Sequence, residues 1–436
     1  MNHHNTIKEA FCMPDLHLIK LLLGIQDENI QITHVEKKKI HSINSIVVFA
    51  TLIKTIHRCP QCKQLNQHEL IVKNGKKKSL ILLNKCANQR TYLALAKQRS
   101  LCRGCHTYFT VNTYIVEKNC FIAKQVYYKI LEELTEKQEM TTISKHCGVS
   151  WSTVSRTLAS LLPMTNVKRN WLPRCLLVDE FRSLKNQVGP YSFSCMDGDT
   201  GKLLDILPSR KKKDLVSYFM RFERRARLNV KILVTDMNAS YASLIKECFP
   251  HAKLVVDRFH IVKHLIRSFE DIRLRVMKIF DRNDPIQAKY YRQVKTLSRL
   301  LIKRQDMLVY DKWTKWRNFS WAYLTESEVV ERLLSTSDEL RIAYAYYQEI
   351  HDKEADTFSQ LVKTMPNSVP RELHHIKKAF INYESGIRLA LELPYSNAKI
   401  ENLHTHIKAL KRVAYGFRSF RRMRTRIFLI NHLITY

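Results

Sequence analysis

The spacing of apolar residues predicts short strands near the start of the chain and a change of architecture near residue 170. Residues 30–35 alternate between apolar and polar in the manner of a strand, residues 43–52 are largely apolar, and residues 92–95 predict a further strand. From residue 121 to residue 136 the apolar positions recur at helical spacing, which predicts an amphipathic helix. Pro163 to Pro173 forms a linker, and the periodicity changes beyond it.

Beyond the linker, short apolar runs predict the strands of an α/β sheet. The runs cover residues 175–181, 191–196, 202–207, 230–236 and 252–257, and helices are expected over 212–227 and 239–248. Three hairpin-type strands followed by alternating helices and strands is the order of a ribonuclease-H-like sheet. Asp179, Asp236 and Asp257 lie at the ends of the first, fourth and fifth strands, where open α/β sheets place their chemistry.

The rest of the chain is predicted to be helical. Residues 261–392 predict helices throughout, and a final helix begins near Ser396 or Asn397, either of which can cap a helix N-terminus. Its apolar stripe consists of Ile400, Leu403, Ile407 and Leu410. Glu401 lies one position from this stripe on an otherwise cationic face. There it is either a surface ion-pair partner or a metal ligand beside a polyanion.

The charge balance indicates the kind of partner. The 436 residues contain 73 Lys and Arg against 40 Asp and Glu, which gives a formal net charge of +33. This excess is typical of proteins that neutralise nucleic-acid phosphates, and a basic ribosomal-type protein is the alternative. No apolar run approaches the roughly 20 residues of a membrane span, and no signal-peptide pattern is visible. We therefore expect no membrane partner, a cytoplasmic location and eleven reduced cysteines.

Two pairs of cysteines predict a metal site. Cys59 and Cys62 form one C-x-x-C knuckle, and Cys102 and Cys105 form a second, with 39 residues between them. Four thiolates from two such knuckles can bind one structural Zn²⁺ in a tetrahedron. The gap is longer than in most zinc ribbons, and the alternative is four buried cysteines without a metal.

Residues 142–158 match the pattern of a helix-turn-helix. Gly148 permits the tight turn between the helices, and Ser150 caps the second helix. That helix is expected to enter the major groove of DNA. Its outward-facing side chains are predicted to be Ser152, Thr153, Ser155 and Arg156. An ordinary helical hairpin is the alternative.

The acidic residues at the strand ends suit phosphodiester chemistry. Two divalent ions, about 3.5–4 Å apart, can activate the nucleophile and stabilise the leaving oxygen, and Mg²⁺ prefers carboxylate oxygens. Asp179, Asp236 and Glu401 can supply such a set. Other roles stay open, because Asp236 could cap the following helix and Asp179 could pair with an arginine. Glu180 and Asp257 compete with these two residues for the same roles.

Together these motifs resemble those of bacterial insertion-sequence transposases of the DDE type, in the ISL3-like group with a zinc finger, a helix-turn-helix and a split ribonuclease-H-like domain. The matching segments are the two cysteine knuckles, Val178-Asp-Glu-Phe181, Thr235-Asp-Met237, Val256-Asp-Arg-Phe-His260, Ser396-Asn-x-x-x-Glu401 and Lys411-Arg-x-Ala-Tyr-Gly-Phe-Arg418. The resemblance implies that Asp179, Asp236 and Glu401 are the catalytic metal-binding triad. It also implies that Asp257 and His260 accompany the triad near the site.

The resemblance further implies a mechanism and its partners. Two Mg²⁺ (or Mn²⁺) ions per active site would support hydrolysis at the element ends and attack of the freed 3′-hydroxyls on target DNA. The implied partner is double-stranded DNA, both as terminal inverted repeats and as target, bound by a homodimer or larger assembly at the bacterial nucleoid. Basic residues of the last helix and the segment after it are then expected to hold DNA phosphates, namely Lys408, Lys411, Arg412 and Arg418.

Two other functions compete with this one. His264-Leu-Ile-Arg267 satisfies the H-x-x-R pattern of a tyrosine recombinase, but the supporting Arg and a fixed Tyr context are missing. The other is a catalytically inactive regulator derived from a transposase, which would bind DNA through its zinc and helix-turn-helix modules. An intact acidic triad argues against the regulator.

The expected fold class is multidomain, with a zinc-finger module, a helix-turn-helix and an α/β ribonuclease-H-like catalytic domain interrupted by an all-helical insertion. Residues 1–52 form an N-terminal segment without an assigned role. The predicted boundaries are 53–112 for the zinc-finger module, 113–162 for the helix-turn-helix, 172–262 for the first part of the catalytic domain, 263–391 for the insertion, and 392–436 for the C-terminal helix of the catalytic domain.

Overall fold

The computed structural model describes residues 16–184, 189–237, 239–350, 354–366 and 368–434. The chain divides into two compact units, residues 1–166 with 408–436 and residues 167–407. Among the described helices, none combines the length and the apolar character needed to cross a membrane.

A five-stranded sheet forms the start of the first unit. After the short helix α1 (Leu16–Leu22), its strands are β1 (Ile30–Ile40), β2 (Ile43–Leu52), β3 (Ile71–Leu82), β4 (Arg90–Cys102) and β5 (Tyr108–Thr110). The order is β1-β2-β4-β3, with β5 paired to β4. Val48 and Leu93 are partners across β2 and β4, and both are fully buried. Because β2 pairs with β4, the predicted N-terminal segment and zinc-finger module share one sheet, and residue 52 does not separate two domains.

A group of helices follows this sheet. α2 (Lys124–Thr135), α3 (Met140–Cys147) and α4 (Trp151–Ser160) bury apolar residues that include Ile130, Ile143 and Leu158. Gly148 ends α3 in the left-handed conformation, with φ of +68°. Ser150 caps α4, because its hydroxyl accepts a hydrogen bond from Thr153 N at 3.2 Å.

A mixed sheet of five strands begins the second unit. Its strands are β6 (Cys175–Arg182), β7 (Tyr191–Asp197), β8 (Leu203–Leu207), β9 (Ile232–Thr235) and β10 (Lys253–Val256). Their order is β10-β9-β6-β7-β8. β6, β9 and β10 run parallel, whereas β7 and β8 extend the sheet in antiparallel pairs. The strands predicted from residue 175 to residue 257 are therefore present.

Helices on this sheet bury an aromatic core. The helices are α5 (Lys212–Phe219), α6 (Arg224–Asn229) and α7 (Ala239–Cys248). The single helix predicted over 212–227 is divided into α5 and α6, because the chain turns after Met220 and buries Phe222 beside Phe219. Phe193 of β7 and Phe249 after α7 complete this core.

A long and mainly helical segment follows β10. Its helices are α8 (Arg258–Ile279), α9 (Pro285–Thr296), α10 (Ser298–Ile302), α11 (Glu326–Leu334), α12 (Asp338–Ile350), α13 (Ala355–Thr364), α14 (Arg371–Asn382) and α15 (Glu384–Glu392). The prediction that the insertion is all-helical was wrong in one place. β11 (Thr314–Trp316) and β12 (Ala322–Leu324) form an antiparallel pair, because Ser320 and Trp321 turn the chain with φ of +56° and +65°.

Two helices complete the described chain. In α16 (Ala398–Val413), the predicted stripe from Ile400 to Leu410 is buried, and each of its four members is at most 6% exposed. α17 (Phe420–Ile430) packs against α2 and α4, and its buried residues include Met423 and Ile427. The division between the two units falls within α16, after Ile407. The predicted catalytic segment 392–436 is therefore split, and its last part belongs to the first unit.

Candidate functional site

Three carboxylates lie at one edge of the second sheet. Asp179 belongs to β6, Asp236 follows the last residue of β9, and Asp257 follows the last residue of β10. The parallel registers of β6 with β9 and of β9 with β10, extended by one or two residues, align these aspartates side by side. The carboxyl ends of parallel strands form the edge at which α/β sheets usually bind ligands.

Asp257 is held from two directions. Its side chain is 1% exposed, and its Oδ2 accepts a hydrogen bond from His260 Nδ1 at 3.0 Å. Its Oδ1 accepts from the backbone N–H of Asn397, the residue before α16, at 2.9 Å. Although Asp257 immediately precedes α8, its side chain makes no capping hydrogen bond to that helix. The carboxylate therefore joins the start of α8 to the start of α16.

Glu401 reaches this edge on the first turn of α16. The carbonyl of Asn397 accepts a hydrogen bond from Glu401 N at 2.9 Å, which begins the helix. One possible ligand atom from each of Glu401, Asp257 and His260 lies within 4.8 Å of the other two. This compact set brings together the predicted third member of the triad and the two predicted auxiliary residues.

Asp179 contacts a histidine that the sequence analysis did not single out. His404 lies one helical turn after Glu401 and is 5% exposed. Its Nδ1 lies 3.3 Å from Asp179 Oδ2, and its Nε2 lies 2.7 Å from Ser194 Oγ on β7. The Ser194 hydroxyl also donates to the backbone carbonyl of Asp179 at 3.1 Å, so Ser194 and His404 both adjoin this aspartate. The signal for this residue was its spacing of three from Glu401, which places both side chains on one helix face.

Glu180 has different partners from its neighbour Asp179. Its carboxylate forms a salt bridge with Arg210 and accepts a hydrogen bond from Tyr241 OH at 3.4 Å. Successive side chains of a strand point to opposite faces of the sheet, so the carboxylates of Asp179 and Glu180 contact different residues.

Burial and mutual repulsion perturb the acidic groups. Burial raises the pKa of Asp236, and the charge of Asp179 adds to the rise. Burial likewise raises the pKa of Glu401, and the charge of Asp257 contributes. The hydrogen bond to Asp257 raises the pKa of His260. The edge therefore concentrates negative charge that a bound cation would stabilise.

The donor set fits a hard divalent ion, but it does not form one tight cluster. Asp179 and Asp236 interact electrostatically with the other groups but lie outside the compact set of Asp257, His260 and Glu401. Asn397 is fully buried, its Nδ2 donates to Val178 O at 3.2 Å, and its Oδ1 has no partner among the described residues. Carboxylate and amide oxygens are the ligands that Mg²⁺ and Mn²⁺ prefer.

The four predicted cysteines come together in the first unit. Cys59 Sγ lies 3.7 Å from Cys105 Sγ, and Cys62 Sγ lies 3.8 Å from Cys102 Sγ. All four sulfurs lie within 4.8 Å of one another. A tetrahedral zinc site with Zn–S bonds of about 2.3 Å has sulfurs about 3.8 Å apart, so the spacing is compatible with zinc.

The residues predicted to contact DNA are mostly accessible. On α4, Ser152 and Arg156 are exposed and Thr153 is half-buried, whereas Ser155 is 3% exposed. The expectation that Ser155 faces outward was therefore wrong, because α4 packs its side against other helices of the unit. In and after α16, Lys408, Arg412 and Arg418 are exposed and Lys411 is half-buried.

Comparisons with known proteins point to a transposase family, with one partial match of a different name. A family model described as transposase, DDE_Tnp_ISL3, matches residues 176–427. The chain is 22% identical over 287 residues to a protein of Bordetella parapertussis named transposase for insertion sequence element IS1001, over 66% of this chain and 68% of that protein. It is also 39% identical over 115 residues to a Lactococcus lactis subsp. lactis protein named ATP-dependent protease, but that match spans 26% of this chain and 36% of that protein.

Proposed function

Since a family model covers more than half of its length, this chain belongs to the ISL3-type family of insertion-sequence transposases, and we propose that it cleaves and transfers DNA strands with divalent metal ions. The family acts in DNA transposition. The observation that carries the proposed chemistry is the alignment of Asp179, Asp236 and Asp257 at one sheet edge, with Glu401 delivered to that edge by α16.

The order of the second sheet supports a ribonuclease-H-like catalytic domain. Three strands in antiparallel succession, β6 to β8, are followed by β9 and β10, which add on the other side of β6 in parallel. In this arrangement Asp179 lies on the central strand β6, and Asp236 directly follows the neighbouring strand β9. Two carboxylates on adjacent strands and one on a later helix can converge on a phosphate from different sides.

The proposed metal ligands are Asp179, Asp236 and Glu401, with Asp257 and His260 beside them. Two Mg²⁺ or Mn²⁺ ions would supply Lewis acidity and neutralise charge on the scissile phosphate. In the first step, water attacks phosphorus and the P–O3′ bond breaks, which leaves a 3′-hydroxyl. In the second step, that hydroxyl attacks a phosphodiester of the target, and a 3′-oxygen leaves. His404 holds Asp179 in place through its 3.3 Å contact, and the backbone N–H of Asn397 holds Asp257 through its hydrogen bond.

The first unit is proposed to bind the element ends. Its four cysteines would hold one structural Zn²⁺, and α3 with α4 would act as a helix-turn-helix that presents Ser152, Thr153 and Arg156 to the major groove. The net charge of +33 suits a duplex partner. Two ends must be brought together for transposition, so a homodimer or larger assembly on DNA is proposed.

The test separates cleavage from binding. Asp179→Ala is expected to abolish strand cleavage of a duplex carrying the element's terminal inverted repeat in Mg²⁺, while leaving its affinity for that duplex near wild type. Glu180→Gln is the matched control, because it changes the next residue of β6 while leaving every proposed metal ligand in place. Cleavage that survives Asp179→Ala would overturn the assignment. Equal loss of cleavage in both variants would indicate a structural defect of the strand instead.

A further inference from the structure

A concavity in the first unit is not used by the proposed catalytic site. Its volume is about 510 Å³, and it is lined by the starts of α3 and α4, by α17 and by residues 414–419 before α17. Its charged lining residues are Arg418, Arg422, Arg426 and Glu139. We call it the arginine notch. Three guanidinium groups against one carboxylate make its field positive.

Arg426 is the unusual member of the arginine notch. Its side chain is 1% exposed, and its Nη2 donates to the backbone carbonyls of Glu136 at 2.7 Å and Gln138 at 3.2 Å. Its Nε has no hydrogen-bond partner among the described residues. Burial lowers the pKa of this guanidinium to about 10, so it stays charged at neutral pH. A buried charge without a counter-ion is unfavourable, which suggests that the partner is supplied from outside.

The start of α3 adds a second feature that favours an anion. No side chain caps α3, because Glu139 at the N-cap position accepts no hydrogen bond from the backbone N–H groups of the first turn. The Glu139 carboxylate instead accepts from the Thr141 hydroxyl at 2.9 Å. Unsatisfied backbone N–H groups at a helix N-terminus attract phosphate oxygens. Met140, the first residue of α3, lines the arginine notch together with Glu139.

The arginine notch also adjoins the helix proposed to read DNA. Trp151, the first residue of α4, lines it and is 49% exposed, and Tyr415 also lines it and is 87% exposed. In helix-turn-helix proteins the recognition helix lies in the major groove, and nearby phosphate contacts fix its register. An anion bound here would therefore sit at the N-terminal end of α4.

We propose that the arginine notch binds one phosphate of the DNA backbone and so fixes α4 on the duplex. This inference rests on the proposed DNA-binding role of α4, but it adds residues that no motif indicated. Arg422 donates to the phosphate oxygens, the buried charge of Arg426 attracts the phosphate electrostatically, and the N–H groups at the start of α3 complete the site. A phosphate contact carries no base information, so it should strengthen binding to every duplex sequence alike.

The experiment compares two neighbouring arginines of α17. Arg422→Gln removes a half-buried lining residue, whereas Arg421→Gln removes an exposed residue outside the lining. Affinity is measured for a terminal-repeat duplex and an unrelated duplex across a salt series. We expect Arg422→Gln to weaken both affinities about tenfold. The magnitude of the slope of log affinity against log salt concentration should also fall by about 0.9, the value for one lost phosphate contact. Arg421→Gln should change both quantities less, and Arg422→Lys should lie between.

A modified duplex identifies the phosphate. One uncharged methylphosphonate is scanned along the terminal repeat, and at one of the positions where it weakens wild-type binding it should have no further effect on Arg422→Gln. Equal behaviour of Arg422→Gln and Arg421→Gln, or full additivity at every position, would overturn the proposal.

Arg156→Ala distinguishes failure of the notch proposal from failure of the proposed DNA-binding function. If Arg156→Ala removes sequence preference while Arg422→Gln has no effect, the notch proposal fails and the function stands. If the wild-type protein binds neither duplex, both fail.

Discussion

His404 links two residues of the candidate site that lie far apart in the chain. It stands on the same helix as Glu401, and its ring contacts Asp179 on the central strand of the sheet. The ring is buried, and Ser194 fixes its second nitrogen at 2.7 Å. A carboxylate ligand whose orientation is fixed by such a neighbour loses less freedom on binding a metal. We therefore expect His404 to act as a positioning residue for the proposed ligand Asp179.

Replacing His404 should weaken the apparent affinity of the catalytic site for Mg²⁺ but leave the affinity for DNA unchanged. His404→Ala is expected to raise the Mg²⁺ concentration for half-maximal cleavage about 10- to 100-fold, because loss of an outer partner frees the Asp179 carboxylate. His404→Asn keeps a donor and should restore part of the effect. His406→Ala is the matched control, since His406 is exposed on the same helix. Identical Mg²⁺ dependence in the His404→Ala and His406→Ala variants would remove the positioning role.

At the scale of elements, the spacing of apolar residues predicted most strands and helices, because each of these elements buries one apolar face. The stripe from Ile400 to Leu410 and the apolar runs of β6, β9 and β10 are of this kind. The pair β11 and β12 escaped prediction, since each has three residues and its turn depends on Ser320 and Trp321 in a conformation that most residues avoid. His404 and Arg426 escaped as well, because their roles arise from contacts that sequence spacing alone does not show.

The packing of α15 on β10 gives an element-scale prediction. A Cβ on Gly386 would lie 3.1 Å from Val256 Cγ2 and 3.3 Å from Leu254 O, so α15 approaches β10 closely at this glycine. Gly386→Val should lower the free energy of unfolding by about 1–3 kcal/mol through overpacking. It should also impair cleavage, because Val256 directly precedes Asp257. Ser385→Val on the exposed side of α15 controls for helix propensity, and chemical denaturation measures both variants. A Gly386→Val variant as stable as Ser385→Val would contradict this packing argument.

At the scale of the whole molecule, the chain separates the proposed tasks between its two units. The acidic edge belongs wholly to residues 167–407, and the cysteine cluster, α3 and α4 belong to residues 1–166. α16 contributes residues to both units, because the division falls after Ile407. This split did not follow from the sequence pattern, since the stripe from Ile400 to Leu410 continues without a break across it.

Metal removal should therefore affect the two units differently. Purified protein is expected to contain about one zinc per chain, and Cys62→Ser should lose it, because a structural site needs all four thiolates. Cys102 ends β4, so zinc loss should destabilise the first sheet and weaken binding to the terminal-repeat duplex. The second unit should keep its own unfolding transition. Cys86→Ser, an exposed cysteine outside the cluster, should leave zinc content and stability unchanged. Metal analysis and calorimetry check both variants, and zinc retained by Cys62→Ser would show that the four sulfurs do not form the site.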